Sequence, residues 1–324
     1  MRTNRAASGQ RPRRILAFQS KQLLKALASL VSRRLRPAQR HAIMVAASAE
    51  IRGRELAEQD VPTIHASLIN TRTSDTLFVL GRAPNIDELQ SDHWIEISRH
   101  DSIGFNSWTS HAFVPTHYLA QAPLTEGTIS RLCSEQYAES TIMLRGTLLA
   151  RQGIEAPGLR SLLEKYPVHN GRLQYLPELP LDGDADASAE DILMYLRQLG
   201  LWTFGAIPPV IPKFRATVGL AVSLGYCMGY RRIVVCGSDS RTLGYARGSR
   251  ADGGQGDWLS SRVAYLRTDL WTHESRIHSV TKVSDFLRAI DRDLRANFSG
   301  AVYWGAPSGP KYGLASFWSA SRVR

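Results

Sequence analysis

The sequence predicts an α/β fold: a Rossmann-like, mainly parallel sheet flanked by helices, with a smaller insertion or lid region and a basic N-terminal helix. Three observations carry that expectation. Short apolar runs at 76–80, 102–105 and 231–236 each stop abruptly at a glycine or an asparagine, as strands do at a turn. Helix-like segments alternate with these runs along the chain, which is the pattern of βαβ units. A small-residue, largely apolar helix leads directly into the 231–236 run, a typical αβ pair that can pack closely. In such folds ligands bind outside the carboxyl ends of the strands.

Taken in order, 41–58 reads as a helix and 62–70 as a strand or connector. The rest of the chain is organised around the stretch 76–108, TLFVLGRAPNIDELQSDHWIEISRHDSIGFNSW. Its first strand ends at Gly81, and Ile86, Leu89 and Trp94 then recur as on a helix. A tight turn into a helix leaves backbone N–H groups that, with the helix dipole, hold a phosphate. Gly81-Arg82-Ala83-Pro84 is neither a dinucleotide fingerprint nor a Walker loop, so a crossover turn that binds nothing fits it equally. The second strand ends at Asn106, whose amide emerges beside Gly81 if the two strands run parallel.

Further strands are expected at 117–121 and 141–149. From 151 to 186 four prolines and the acidic turn LDGDADAS interrupt the pattern, which marks the insertion or lid. Ser188 is a good N-cap for a helix reaching about residue 199, with Glu190 and Asp191 in its first turn. A loop centred on Pro208-Pro209 precedes the small-residue helix, which Gly229 ends; the strand after it stops at Gly237-Ser238-Asp239. The glycine-rich segment 249–257 is suited to order around a ligand. A helix at 283–295 and a last strand at 301–304 complete the pattern.

A chain of 324 residues with 43% hydrophobic content can bury one large α/β core or two modest ones. The net charge of +11 is local: residues 1–40 hold eleven Arg and Lys and no acid, leaving 29 basic against 29 acidic residues elsewhere. The expected organisation is therefore a basic arm, 1–45, and one Rossmann-like α/β domain, 46–324. Leu16, Leu23, Leu27, Leu30 and Val31 recur at near-helical spacing in the arm. That suits an amphipathic helix lying on an anionic membrane surface, and it equally suits a solvated arm or a helix packed on the body. No uncharged run approaches the roughly 20 residues that span a bilayer, and charge interrupts any secretory signal. Nucleic acid is not expected as a partner, since outside the arm no basic stripe with interleaved aromatics occurs. Cys133, Cys227 and Cys236 are odd in number and lack C-x-x-C spacing, which disfavours disulfides and zinc and suits a cytoplasmic protein.

Several blocks, LGRAPNIDEL, IGFNSW, THYLA, RATVGLAVSLGYCMGYRRIVVCGSD, IHSVTKVSDFLRAI and YWGAPSG, occur in the order found in a bacterial sialyltransferase family with a single Rossmann-like domain. The chain resembles that family from about 76 to 318. The same core is similar to a wider group of polysaccharide-synthesis proteins and archaeal pterin diphosphokinases. The resemblance implies an inverting, metal-independent glycosyltransferase that takes sugar from a CMP-linked donor, with no cofactor. The acceptor it implies is a bacterial cell-surface glycan or lipopolysaccharide precursor.

The family's nucleotide-touching G-N-G-P-S turn falls on Gly81, Arg82, Ala83, Pro84 and Asn85, with Arg82 in place of an asparagine. Its strand-end asparagine falls on Asn106. Its T-S-G helix start falls on Ala216, Thr217 and Val218, so only the Thr217 hydroxyl remains. Its G-x-D falls on Gly237 and Asp239, and Ser308 lies in the matching YWGAPSG block. Its general base falls on His278. Of its two tyrosines that assist the leaving phosphate, Arg241 stands near one and Tyr245 near the other without the same spacing.

Inverting transfer needs a base for the acceptor hydroxyl and a donor site for the departing phosphate. An imidazole suits the first, and His273 competes with His278 in the same connection. An arginine suits the second, because its fork of donors stays charged. Asp239 can bind a ribose hydroxyl or cap a turn. Asp184 and Asp186 form a D-x-D pair, but in a surface-like turn. A diphosphokinase-like enzyme and a non-catalytic nucleotide-binding relative remain as alternatives. The predicted location is the cytoplasm, peripheral on the inner membrane face through residues 1–40, and the oligomeric state is open, a homo-oligomer included.

Overall fold

The computed structural model of this chain describes residues 50, 53–54, 56–57, 61–64, 66–120, 124–146, 172–181, 188–214, 216–238, 283–307 and 312–318. Besides residues 50, 53–54 and 56–57, which are helical, ten strands and five α-helices have both ends among these residues. In chain order they are β1 (Thr76–Leu80), α1 (Ser91–Ser98), β2 (Asp101–Phe105), β3 (His117–Ala120), α2 (Glu126–Leu132), β4 (Thr141–Arg145), β5 (Leu173–Leu176) and β6 (Glu178–Leu181). After β6 come α3 (Ala189–Gln198), β7 (Ile211–Phe214), α4 (Thr217–Cys227), β8 (Arg232–Cys236), α5 (Val283–Phe298), β9 (Ala301–Trp304) and β10 (Ala315–Ser316).

Eight of the strands form one sheet in the order β10-β9-β8-β1-β2-β3-β4-β5, and every neighbouring pair in it is parallel. The expected α/β architecture is thus present. The chain moves one way from β1 to β5 and the other way from β8 to β10, so the order reverses between β1 and β8. Parallel sheets need cover on both faces, and all five residues of β1 are accordingly buried. Leu77 and Val79 pack in one core with Leu193, Leu220 and Ile290 from α3, α4 and α5. Phe78 and Leu80 pack in the other, with Ile97 of α1 and Ile129 and Leu132 of α2.

Local sequence explains the close approaches this arrangement needs. A side chain at Gly225 of α4 would meet Leu77 Cδ2 at 2.7 Å, and one at Gly219 would meet the Phe214 carbonyl oxygen at 2.4 Å. The glycines let α4 lie directly on β1 and β7. Within the expected insertion at 151–186, residues 173–176 supply edge strand β5, while β6 pairs with β7 in a separate two-stranded sheet. The segment before β1 reaches β5 as well, through a parallel bridge between Thr63 and Tyr175.

At the amino edge of the sheet Asp101 is fully buried. It accepts from the Thr73 N–H at 2.8 Å and hydroxyl at 2.6 Å, the Ser74 N–H at 3.1 Å and the Tyr230 hydroxyl at 3.0 Å. A buried carboxylate with this many donors is satisfied, and it ties the starts of β1, β2 and β8 together.

His117, at the start of β3, is buried with neither ring nitrogen bonded among the described residues. Burial pushes its pKa down from 6.5 to about 4, with Asp101 opposing weakly. The folded pKa lies below the unfolded one, so the unfolded chain takes up a proton that the folded chain refuses. The stability tied to this histidine is complete above pH 6.5 and drains away as the pH falls toward 4. His117→Leu is expected to shrink the loss of unfolding free energy between pH 7 and pH 4.5 by about 2 kcal/mol, measured by urea denaturation. An unchanged pH slope would show that His117 is not the group responsible.

Candidate functional site

The carboxyl ends of β8, β1 and β2 stand side by side where the strand order reverses. Gly81 and Gly237 meet there backbone to backbone. Gly81 N–H donates to the Cys236 carbonyl at 2.9 Å, and Ala83 N–H donates to the Gly237 carbonyl at 2.8 Å. A Cβ on Gly81 would fall 2.3 Å from the Gly237 oxygen, and one on Gly237 would fall 2.1 Å from the Gly81 oxygen. Gly237 also has φ +63°, a conformation that favours glycine. The requirement for glycine at both positions is mutual.

One expectation at this turn is corrected. No α-helix starts at Pro84: residues 84–88 form a short 3₁₀ turn, and α1 begins at Ser91, capped reciprocally by Gln90 and His93. Because the helix starts past the turn, its dipole gives no phosphate cradle directly after β1. The polar character of these strand ends comes from side chains instead.

Four of those side chains are sealed from solvent without a hydrogen-bond partner among the described residues. They are Asn85, through both amide atoms, Asn106 through Oδ1, and Ser107 and Ser238 through their hydroxyls. They follow the ends of three adjacent strands, a span of about 10 Å at the usual inter-strand spacing. Asn106 has φ +59°, which asparagine tolerates better than most residues. Its carbonyl accepts the Tyr118 hydroxyl at 2.5 Å, which fixes the turn. Buried amides and hydroxyls without partners are uncommon, and each calls for water or a ligand.

Arg82, 4% exposed, places its guanidinium 5.9 Å from the centre of the Trp108 ring. Burial lowers its pKa and Asp87 opposes that, and an arginine stays charged through such a change. Trp108 is fully buried beside β2 because Gly104 has no side chain: a Cβ there would lie 2.7 Å from the indole. The glycine and tryptophan of IGFNSW therefore make one packing unit, and that unit is the floor under Arg82. His111 stacks on Trp108 at 4.5 Å and on Trp94 of α1 at 4.9 Å.

Thr217 opens α4, and its position along the sheet can be read from the helix. Gly225, near the far end of α4, touches Leu77 and Ile233, the second residues of β1 and β8. Eight residues of helix rise about 12 Å and three of strand about 10 Å, which puts Thr217 level with the strand ends. Its hydroxyl accepts from Arg145 Nη1 at 3.0 Å. Arg145, the last residue of β4, also pairs with Glu178, both fully buried, and Lys213 lies 3.7 Å from the same carboxylate. The Thr217 hydroxyl, expected to hold the donor, is thus engaged by Arg145 on the β4 side of the edge.

Gly81, Arg82, Asn85, Asn106 and Gly237 are therefore gathered at one place, and Thr217 shares the edge. Asp239, Arg241, Tyr245, His273, His278 and Ser308 lie outside the described residues. Sequence reasoning missed Arg145, Glu178, Trp108 and His111. Arg145 ends an apolar strand with a charge, the same sign that marked Asn106, but the expected run to 149 hid that end. Among the described residues no group of three or more His, Cys, Asp or Glu is placed to hold a metal ion, and no helix is long and apolar enough to cross a membrane.

No protein-family model and no curated protein matches this chain.

Gly237→Ala tests the mutual requirement. It forces a Cβ onto a carbonyl in a left-handed turn, and the expected cost is about 2–3 kcal/mol in urea denaturation. Unaltered stability would show that the two turns separate readily.

Proposed function

We propose that the chain is a glycosyltransferase of the sialyltransferase-like kind, which moves a sugar with inversion from a nucleotide donor, CMP-linked by resemblance, to a bacterial surface glycan or lipopolysaccharide precursor. One observation carries the reading: the strand ends at the reversal of strand order gather sealed amides and hydroxyls without a partner among the described residues. Such groups suit the ribose, base edge and phosphate oxygens of a nucleotide, and this is where doubly wound sheets place ligands. Arg82 supplies one fixed positive charge at the same turn.

The chemistry follows from that placement. The acceptor hydroxyl attacks the anomeric carbon as the bond to the donor's phosphate oxygen breaks, and the nucleotide leaves with the bonding pair. His278 takes the hydroxyl proton, and Arg241 with Tyr245 meets the charge on the departing phosphate. The Asn85 and Asn106 amides hold the nucleotide still through the step. The reaction needs no metal in this reading, and residues 1–40 bring the enzyme to an anionic membrane face where the acceptor resides.

A thermal-shift series with CMP, UDP, GDP and ATP, with magnesium or with chelator, tests the reading. Stabilisation by one pyrimidine nucleotide in the presence of chelator is expected. Stabilisation by ATP alone, and only with magnesium, would replace the transferase with a diphosphokinase. His278→Ala should keep the nucleotide-induced shift and slow transfer by about 100-fold or more. Full turnover in that variant would remove His278 as the base.

A further inference from the structure

We infer that His111 is a further ligand-contacting residue of this crevice, a fixed neutral imidazole that donates Nε2–H to a phosphate oxygen of the bound nucleotide; the inference rests on the proposed nucleotide site. Its geometry settles which nitrogen carries the proton. The Phe113 N–H donates to His111 Nδ1 at 3.0 Å, so Nδ1 holds a lone pair and the proton sits on Nε2. The rings of Trp108 and Trp94, at 28° and 35° to the imidazole, hold its plane. Trp108 Nε1–H in turn donates to the Phe113 carbonyl at 2.9 Å, so indole, imidazole and the 111–113 turn form one rigid unit. Nε2 has no partner among the described residues and, unlike the Asn85 amide and Asn106 Oδ1, is not sealed from solvent.

The charges around the ring favour a neutral donor. Arg82, above the same indole, acts on His111 through its positive charge, and Asp87 acts in the opposite sense. Arg131 of α2 reaches the His111 carbonyl at 3.5 Å from the other side. Burial and Arg82 together push the imidazole down to about 4, so the ring is uncharged at neutral pH. Arg82 then supplies the charge that attracts an anion, and His111 supplies a directional N–H with no second cation to desolvate.

Selective ¹⁵N labelling of histidine tests this on the full chain. His111 is expected as the Nε2–H tautomer with no titration between pH 5.5 and 7.5, and CMP should shift that resonance. His111→Phe keeps an aromatic ring between the two indoles and loses the donor; it should raise the Kd for CMP by about 10-fold. His111→Gln restores an N–H donor and should bind within about 3-fold of wild type. Wild-type affinity in His111→Phe, or a ring that titrates near 6.5, would overturn the inference and leave the proposed function standing. Wild type that binds none of the four nucleotides would end both. Should the Phe variant fail to fold, an Nε2 resonance unmoved at saturating CMP overturns the inference by itself.

Discussion

Two turns touch through their backbones where β1 and β8 end, and the crevice depends on that contact. Each carbonyl occupies the space a Cβ would fill on the other strand, so the strand ends are held at a separation that two glycines alone allow. The constraint shapes everything beside it. The chain leaving β1 folds over Gly237, with Ile86 against it, and the chain leaving β2 turns through a left-handed Asn106. Asn85, Asn106 and Ser238 are thereby brought to neighbouring positions without a long loop or a helix terminus.

Both edges of the sheet hold buried polar atoms without a partner among the described residues, Thr76 Oγ1 and the His117 ring nitrogens at one, amides and hydroxyls at the other. At the amino edge Asp101 accepts from donors of two segments, Thr73-Ser74 and Tyr230, and His117 lowers the cost of its burial by staying uncharged. A neutral imidazole still carries an N–H and a lone pair, so deprotonation removes the charge penalty and leaves the hydrogen-bonding one. The sealed groups at the carboxyl edge differ in standing together after the ends of three adjacent strands, where doubly wound sheets place ligands. The buried Arg145–Glu178 pair is a third arrangement: it joins the main sheet to the small β6-β7 sheet and to the start of α4.

Much of the fold was legible because burial on both faces leaves a plain trace. Strands β1, β2, β8 and β9 read as short apolar runs with abrupt ends, and Ser188 announced α3 as its N-cap, which in the structure closes a capping box with Asp191. The turn after β1 was misread. Ile86, Leu89 and Trp94 suggest one continuous helix, but they divide between a 3₁₀ turn and α1, and periodicity over so short a stretch cannot separate the two. Within the site, the glycines and asparagines at strand ends could be found because backbone geometry restricts residue type there. His111 and Trp108 could not, because their roles arise from ring stacking between segments that the sequence does not place together.

The pairing of β1 has a consequence for how the molecule comes into being. Thr76 lies opposite Arg232, so one flank of the central strand stays open until β2 through β7 have already been made. Closing so long a loop is slow, and a nascent chain must shield an exposed apolar strand in the meantime. Because the proposed site is defined by that late contact, a chain halted before β8 would carry Asn85 and Asn106 with nothing to assemble against, so the site would arrive late and all at once.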